Sequence, residues 1–234
     1  MSNKDYILKK ILHAEVQTEP WKHMIIDDFL PEPLYQAIVI ETREYEQVMD
    51  KKNADRGYVV TINKSIDVWP DKEINPNLYE YYKILTDADV EFAIKKQVNV
   101  ENIHENKLSK DLWSSYDIQK SGFTYAVHPD REEKIHTLVH YLADAGDDST
   151  LGTTLYSSNV ESNKLNTQED YLKRARYLPN SAILFSPCEK KGFMTNHAMF
   201  HTSKQTKFRK TLQTFWLKEP RDWTNLEWSA TNLK

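Results

Sequence analysis

The feature that most constrains this chain is the texture of its second half. Short apolar or alternating segments follow one another at 116–119, 123–127, 135–142, 153–157, 182–185, 193–201 and 208–217. Strand-length segments at such close spacing predict a β-sandwich or barrel-like core, with the apolar side of each strand turned inward. The first half reads differently. Leu34, Ile38, Thr42, Tyr45 and Val48 recur at three- and four-residue intervals and predict a helix with one buried face, and from Pro76 onward Leu78, Tyr82, Leu85, Val90 and Ile94 carry an interrupted helical pattern. Tyr6, Ile7, Leu8, Ile11 and Leu12 predict a shorter helix at the start, while 21–30 and 58–62 read as strands. The chain is therefore expected to be α+β. Residues 1–112 supply mainly helical support, 113–220 the β core and 221–234 a tail, within one domain as 234 residues allow.

Composition narrows the function classes. Lys and Arg number 31 against 35 Asp and Glu, a net charge of −4, so the basic excess that drives binding to a phosphate backbone is missing and nucleic acid is not an expected partner. Only 5 glycines occur, and neither GxGxxG nor GxxxxGK[ST] is present, which argues against folds that cradle nucleotide phosphates. The first fifteen residues mix lysines and an aspartate among the apolar positions, unlike a secretory leader, and no apolar run is long enough to span a bilayer. With Cys188 the single cysteine, the expectation is a cytoplasmic protein with no membrane partner. Cys188 itself reads as a small packed residue.

The sharpest chemical signal is His128-Pro129-Asp130 at the end of a strand pattern. Side chains two apart on a strand share a face, with Cα atoms roughly 6–7 Å apart, so an imidazole and a carboxylate project together and can chelate one metal ion. Two such ligands with one further histidine and open remaining positions form the facial triad of non-haem Fe(II) oxygenases. Downstream, His197 and His201 both lie in a strand segment, and the next strand begins Phe208-Arg209-Lys210-Thr211. The arginine there has the bidentate fork that grips a carboxylate.

These pieces resemble, in order, the Fe(II)- and 2-oxoglutarate-dependent dioxygenases, particularly their prolyl-hydroxylase-like branch. Glu19-Pro20-Trp21-Lys22-His23-Met24-Ile25-Ile26-Asp27-Asp28-Phe29-Leu30-Pro31 is similar to the apolar, Asp-containing segment before that branch's first large helix. His128-Pro129-Asp130, Lys134 and Thr137-Leu138-Val139-His140-Tyr141-Leu142 resemble its iron motif and following strand. Gly152-Thr153-Thr154-Leu155-Tyr156 and Pro179-Asn180-Ser181-Ala182-Ile183-Leu184-Phe185 resemble later strands, and Arg209-Lys210-Thr211 resembles its 2-oxoglutarate motif.

The resemblance implies a double-stranded β-helix, or jelly-roll, buttressed by N-terminal helices. It also implies Fe(II) held by His128, Asp130 and a later histidine. Arg209 would hold the distal carboxylate of 2-oxoglutarate, with Thr211 nearby and Tyr141 a hydroxyl donor to the same group. Dioxygen and a small-molecule or peptidyl substrate complete the reaction, a hydroxylation releasing succinate and CO2, with ascorbate in support. Retention of Asp130 favours hydroxylation over the halogenation of related enzymes, which vacate that position. Tyr141 shares a strand face with Thr137 and Val139, leaving His136 and His140 on the other.

Strand parity does not separate His197 from His201. The family pattern of an aromatic residue before the ligand and a short polar turn before the arginine selects His201. Two other readings fit the residues: a cupin-like metalloenzyme without 2-oxoglutarate, and a non-catalytic β-sandwich binding module. No motif specifies a substrate.

Overall fold

The computed structural model describes residues 1–51, 58–63, 72–99, 108–190 and 192–220. The tail 221–234, with Trp223 and Trp228, lies outside the described residues.

Each helix has a local cause. α1 (Asn3–His13) starts at a reciprocal cap in which Ser2 and Asp5 each satisfy the other's backbone N–H. α2 (Glu32–Lys51) follows Pro31. The interrupted pattern around Leu85 resolves into two helices, α3 (Pro76–Leu85) and α4 (Ala88–Val98). Pro76 opens the first, where its missing N–H costs nothing. Between them Asp87 turns its carboxylate onto the Asp89 N–H and caps the second, so a new N-terminus forms where the periodicity falters.

Seven strands form the larger sheet. They are β1 (Val16–Gln17), β2 (His23–Ile26), β3 (Tyr58–Asn63), β4 (Asp111–Lys120), β6 (Lys134–Tyr141), β9 (Ala182–Phe185) and β13 (Phe208–Leu217), in the order β1-β2-β9-β6-β13-β4-β3. A four-stranded sheet runs β5 (Thr124–His128), β12 (His197–Phe200), β7 (Thr154–Leu155), β8 (Lys173–Arg174), and β10 (Glu189–Lys190) pairs with β11 (Phe193–Met194) as a ribbon. All pairings are antiparallel. The helical half thus contributes β1, β2 and β3 to the flanks of the sheet that it also covers.

The pleat of the larger sheet separates two cores. Tyr116, Ile118, Leu138, Leu184, Leu212 and Trp216 point to the helices and meet Ile7, Ile11, Leu78, Tyr82, Leu85 and Ile94. Each such side chain gains about 1.5–3 kcal/mol by leaving water. His140 lies on this outer face among Phe29, Tyr35 and Tyr81, and His136 bonds Ser186. The opposite face carries Val139, Tyr141, Ile183 and Phe185, packed against Leu155 and Ala175 of the smaller sheet. Two sheets face to face with helices over one of them form a double-stranded β-helix. Within the smaller sheet, the backbone entering β7 and that leaving β8 come so close at Gly152 that a Cβ would stand 1.7 Å from the Ala175 carbonyl oxygen. No helix among the described residues is long and apolar enough to cross a membrane.

Candidate active site

The strand pairing of the smaller sheet assembles the first cluster. Antiparallel register sets His197 of β12 directly across from His128 of β5, with ring centroids 4.5 Å apart. Asp130, two residues beyond His128, brings its carboxylate to the same point. One ligand atom from each of His128, Asp130 and His197 lies within 4.8 Å of the others. Both imidazoles are held the same way. His128 Nδ1 is 2.8 Å from the Ala126 carbonyl and His197 Nδ1 is 2.9 Å from that of Thr195. A carbonyl can only accept, so Nδ1 carries the proton on each ring and Nε2 is left with its lone pair free, the state a metal requires.

His201 is not part of this cluster, which corrects the expectation drawn from the family pattern. Segment 193–201 is not one strand but two short ones, and the pairing of β12 with β5 slips between His197 and Met199. His201 exchanges backbone hydrogen bonds around Phe123 and Gly122, at the far end of β5. His128 is five residues further along that strand, roughly 16 Å in extended chain. The buried His201 ring faces the Arg209 side, where burial and the guanidinium both lower its pKa.

Asp130 is nearly inaccessible. Its carboxylate pairs with the Lys134 ammonium through one oxygen and accepts from the Thr137 hydroxyl at 2.6 Å through the other. Burial alone would raise its pKa. The Lys134 charge, His197 and the two donated hydrogen bonds outweigh that and hold the carboxyl well below the usual range. His197 is shifted to about 4, mainly by burial and by neighbouring His128. The cluster therefore brings two imidazoles and one carboxylate to one point, a donor set that suits a divalent transition metal.

A cavity of about 140 Å³ opens beside the cluster, and Arg209 is in its wall. Arg209 is buried with its Nε on the Leu151 carbonyl at 2.6 Å and Nη1 on Gln119 at 2.7 Å. The guanidinium has five N–H donors, so these bonds fix the group while leaving others for a ligand. Tyr141 lies beside it, ring centre 5.5 Å from the guanidinium carbon, and its hydroxyl donates to Thr153 at 2.8 Å. Thr211 pairs in register with Tyr141, and its buried hydroxyl oxygen has no hydrogen-bond partner among the described residues. A buried hydroxyl in that state is costly unless something else fills the site.

Sequence reasoning quoted Lys134 without giving it a role, and missed Thr137, Thr153 and the polar row Ser115, Asp117 and Gln119. The row was readable. In 113–119 the odd residues are Trp113, Ser115, Asp117 and Gln119, while the even ones include Tyr116 and Ile118, so a strand there turns an unusually polar face inward.

No protein-family model and no curated protein matches this sequence. Solved structures do match in three dimensions. A prolyl-4-hydroxylase from Pseudomonas putida superposes with a TM-score of 0.58 at 12% identity, over 92% of this chain and 99% of that one. Dioxygenase for auxin oxidation 1 from Arabidopsis thaliana, solved with 2-oxoglutarate, gives 0.56 at 12% identity, over 100% and 94%. The coverage spans both halves of the chain, so the helices, both sheets and the cleft between them together have the fold of these oxygenases.

Proposed function

We propose that the chain is an Fe(II)- and 2-oxoglutarate-dependent oxygenase that hydroxylates an unactivated C–H bond of an amino acid, a peptidyl side chain or a small metabolite. The observation that carries this reading is the convergence of His128, Asp130 and His197 on one point beside a cavity that also holds a buried arginine. A cupin-like site accounts for the metal cluster alone. A binding module accounts for neither two Nε2 lone pairs aimed at one carboxylate nor a guanidinium with spare donors in the same cavity.

In this reading His128, Asp130 and His197 hold Fe(II), which supplies the redox chemistry with 2-oxoglutarate and dioxygen. The protein's own groups orient the parts. The Ala126 and Thr195 carbonyls fix both imidazoles, and Thr137 holds one oxygen of Asp130 so that the carboxylate cannot rotate freely. Arg209 receives the distal carboxylate of 2-oxoglutarate. The unpartnered Thr211 hydroxyl supplies a second donor, and Tyr141 acts through Thr153 to hold the wall behind it.

The purified chain, given Fe(II), 2-oxoglutarate and ascorbate in air, is expected to form succinate, and His197→Ala is expected to abolish it. Succinate formation unchanged in that variant, or none in the parent with one equivalent of iron bound, would refute the reading.

A further inference from the structure

One buried carboxylate in the cavity wall has no part in holding metal or co-substrate. Asp117 projects from the inward face of β4, is almost inaccessible, and lines the same cavity as His128 and Arg209. Its Oδ1 accepts from the Ser115 hydroxyl at 2.8 Å and its Oδ2 from the Gln213 amide at 2.7 Å. Two oxygens carry about four acceptor positions, so roughly half remain.

Among the described residues no cationic side chain pairs with it within 4.0 Å. The nearest two are committed elsewhere, Arg209 to Gln119 and the Leu151 carbonyl, and Lys134 to Asp130. Burial raises its pKa to about 6, against the Ser115 bond and the charges of Arg209 and Lys134. An asparagine in its place could accept the Ser115 hydrogen bond without that cost. A charge kept at a loss of stability inside a ligand cavity has the character of a functional group.

We propose that Asp117 is the specificity residue of the site and that the substrate carries a basic nitrogen, an ammonium or guanidinium, which docks on it. The proposal rests on the oxygenase reading above and names the substrate class for the same cavity. Asp117 lines one cavity of about 140 Å³ together with His128, Asp130, His197 and the half-exposed Tyr125. The carboxylate is therefore within one small molecule's reach of the metal cluster. A cationic group there neutralises a charge that would otherwise stay uncompensated, and it offers the N–H donors that the free lone pairs lack. Neutral or anionic analogues forfeit both gains, and the cavity rejects them by leaving Asp117 unpaired. The Tyr125 ring adds a face on which a cation can also rest.

The test compares succinate formation by the iron-loaded chain with and without four probes: L-lysine and L-arginine, and their near-isosteric neutral partners L-norleucine and L-citrulline. Succinate formed without a probe or with any of the four reports the oxygenase chemistry by itself, so its absence in every arm would overturn the oxygenase reading and the substrate class resting on it. Lysine or arginine is expected to stimulate the rate at least tenfold over its neutral partner. Asp117→Asn is expected to lose that stimulation while still binding one equivalent of iron. Equal stimulation by the neutral partners, no stimulation by either cation, or full stimulation of Asp117→Asn would each overturn the assignment of Asp117 and leave the oxygenase reading standing. Thermal melting at pH 7.5 checks that the variant is folded.

Discussion

Lys134 makes the metal site's charge balance measurable. In the metal-free chain its ammonium is the main compensation for Asp130, and the two side chains are 13% and 4% exposed. Breaking a buried pair from one side leaves the other charge stranded and costs about 3–5 kcal/mol. Because this pair borders a cavity that can admit water, the lower end applies, about 3 kcal/mol. Lys134→Met keeps the aliphatic stem against Phe215, over whose ring the ammonium now sits at 3.6 Å, so the loss is mostly that of charge.

For a chain of this length each kcal/mol moves the melting point by about 2–4 °C, which predicts a fall of about 6–12 °C without metal. A divalent ion replaces the ammonium as the partner of Asp130, and by linkage the variant should regain that stability on binding. Its affinity for Zn(II), a redox-inert stand-in, should rise toward 100-fold, the equivalent of about 2.7 kcal/mol. Melting curves of the metal-free chain and calorimetric Zn(II) titrations of both proteins measure the two effects. Unchanged melting without metal, or Zn(II) binding weakened tenfold in the variant, would refute the idea that lysine and metal compete for one carboxylate.

Three further outcomes are expected. His197→Ala should eliminate stoichiometric Fe(II) or Zn(II) binding while His201→Ala retains it, and equilibrium dialysis with metal analysis decides between them. Arg209→Ala should weaken 2-oxoglutarate by at least tenfold, since loss of a buried charge-assisted partner costs about 2–5 kcal/mol, and an apparent affinity within threefold of the parent would remove the arginine from that role. Asp117→Asn should stabilise the fold at pH 7 but not at pH 4. Its folded pKa, raised to about 6, lies above the unfolded value near 3.9, so the parent's stability falls as pH climbs between them, by up to about 3 kcal/mol. Denaturant melts of both proteins across pH 4–8 read the difference.

The fold was legible because each level of the sequence agreed with the next. Apolar residues at helical spacing and Pro76 at a helix start specify helices without reference to the rest of the chain, whereas the cap at Asp87 that divides α3 from α4 went unread. In β6 the alternation of Thr137, Val139 and Tyr141 with His136, Leu138 and His140 separates cavity from helical core, and the structure divides them on that line. Less legible was the part played by the first half in the sheet. β2 pairs with β9 across more than 150 residues of chain, a non-local partnership that no local pattern announces.

The third histidine shows where such reasoning stops. Parity arguments assume an unbroken strand, because a side-chain period of two holds only while every residue advances the pleat once. In the pairing of β12 with β5 the extra residue lies on β5, which advances three residues against two between the His197–His128 and Met199–Tyr125 pairs, so β12 itself keeps its alternation. Parity therefore leaves His197 and His201 on equal terms. What distinguishes them is the partner strand. His128 and Asp130 must sit at the end of β5, because Pro129 between them cannot donate a hydrogen bond to the ladder. An antiparallel partner meets that end with its own beginning, which is where His197 lies, while the end of β12 and then His201 lie back toward the start of β5. A proposed ligand pair at the close of one antiparallel strand selects the earlier of two candidates on the next, and by that argument the proposed donor at His197 follows from chain direction rather than from the residues that flank it.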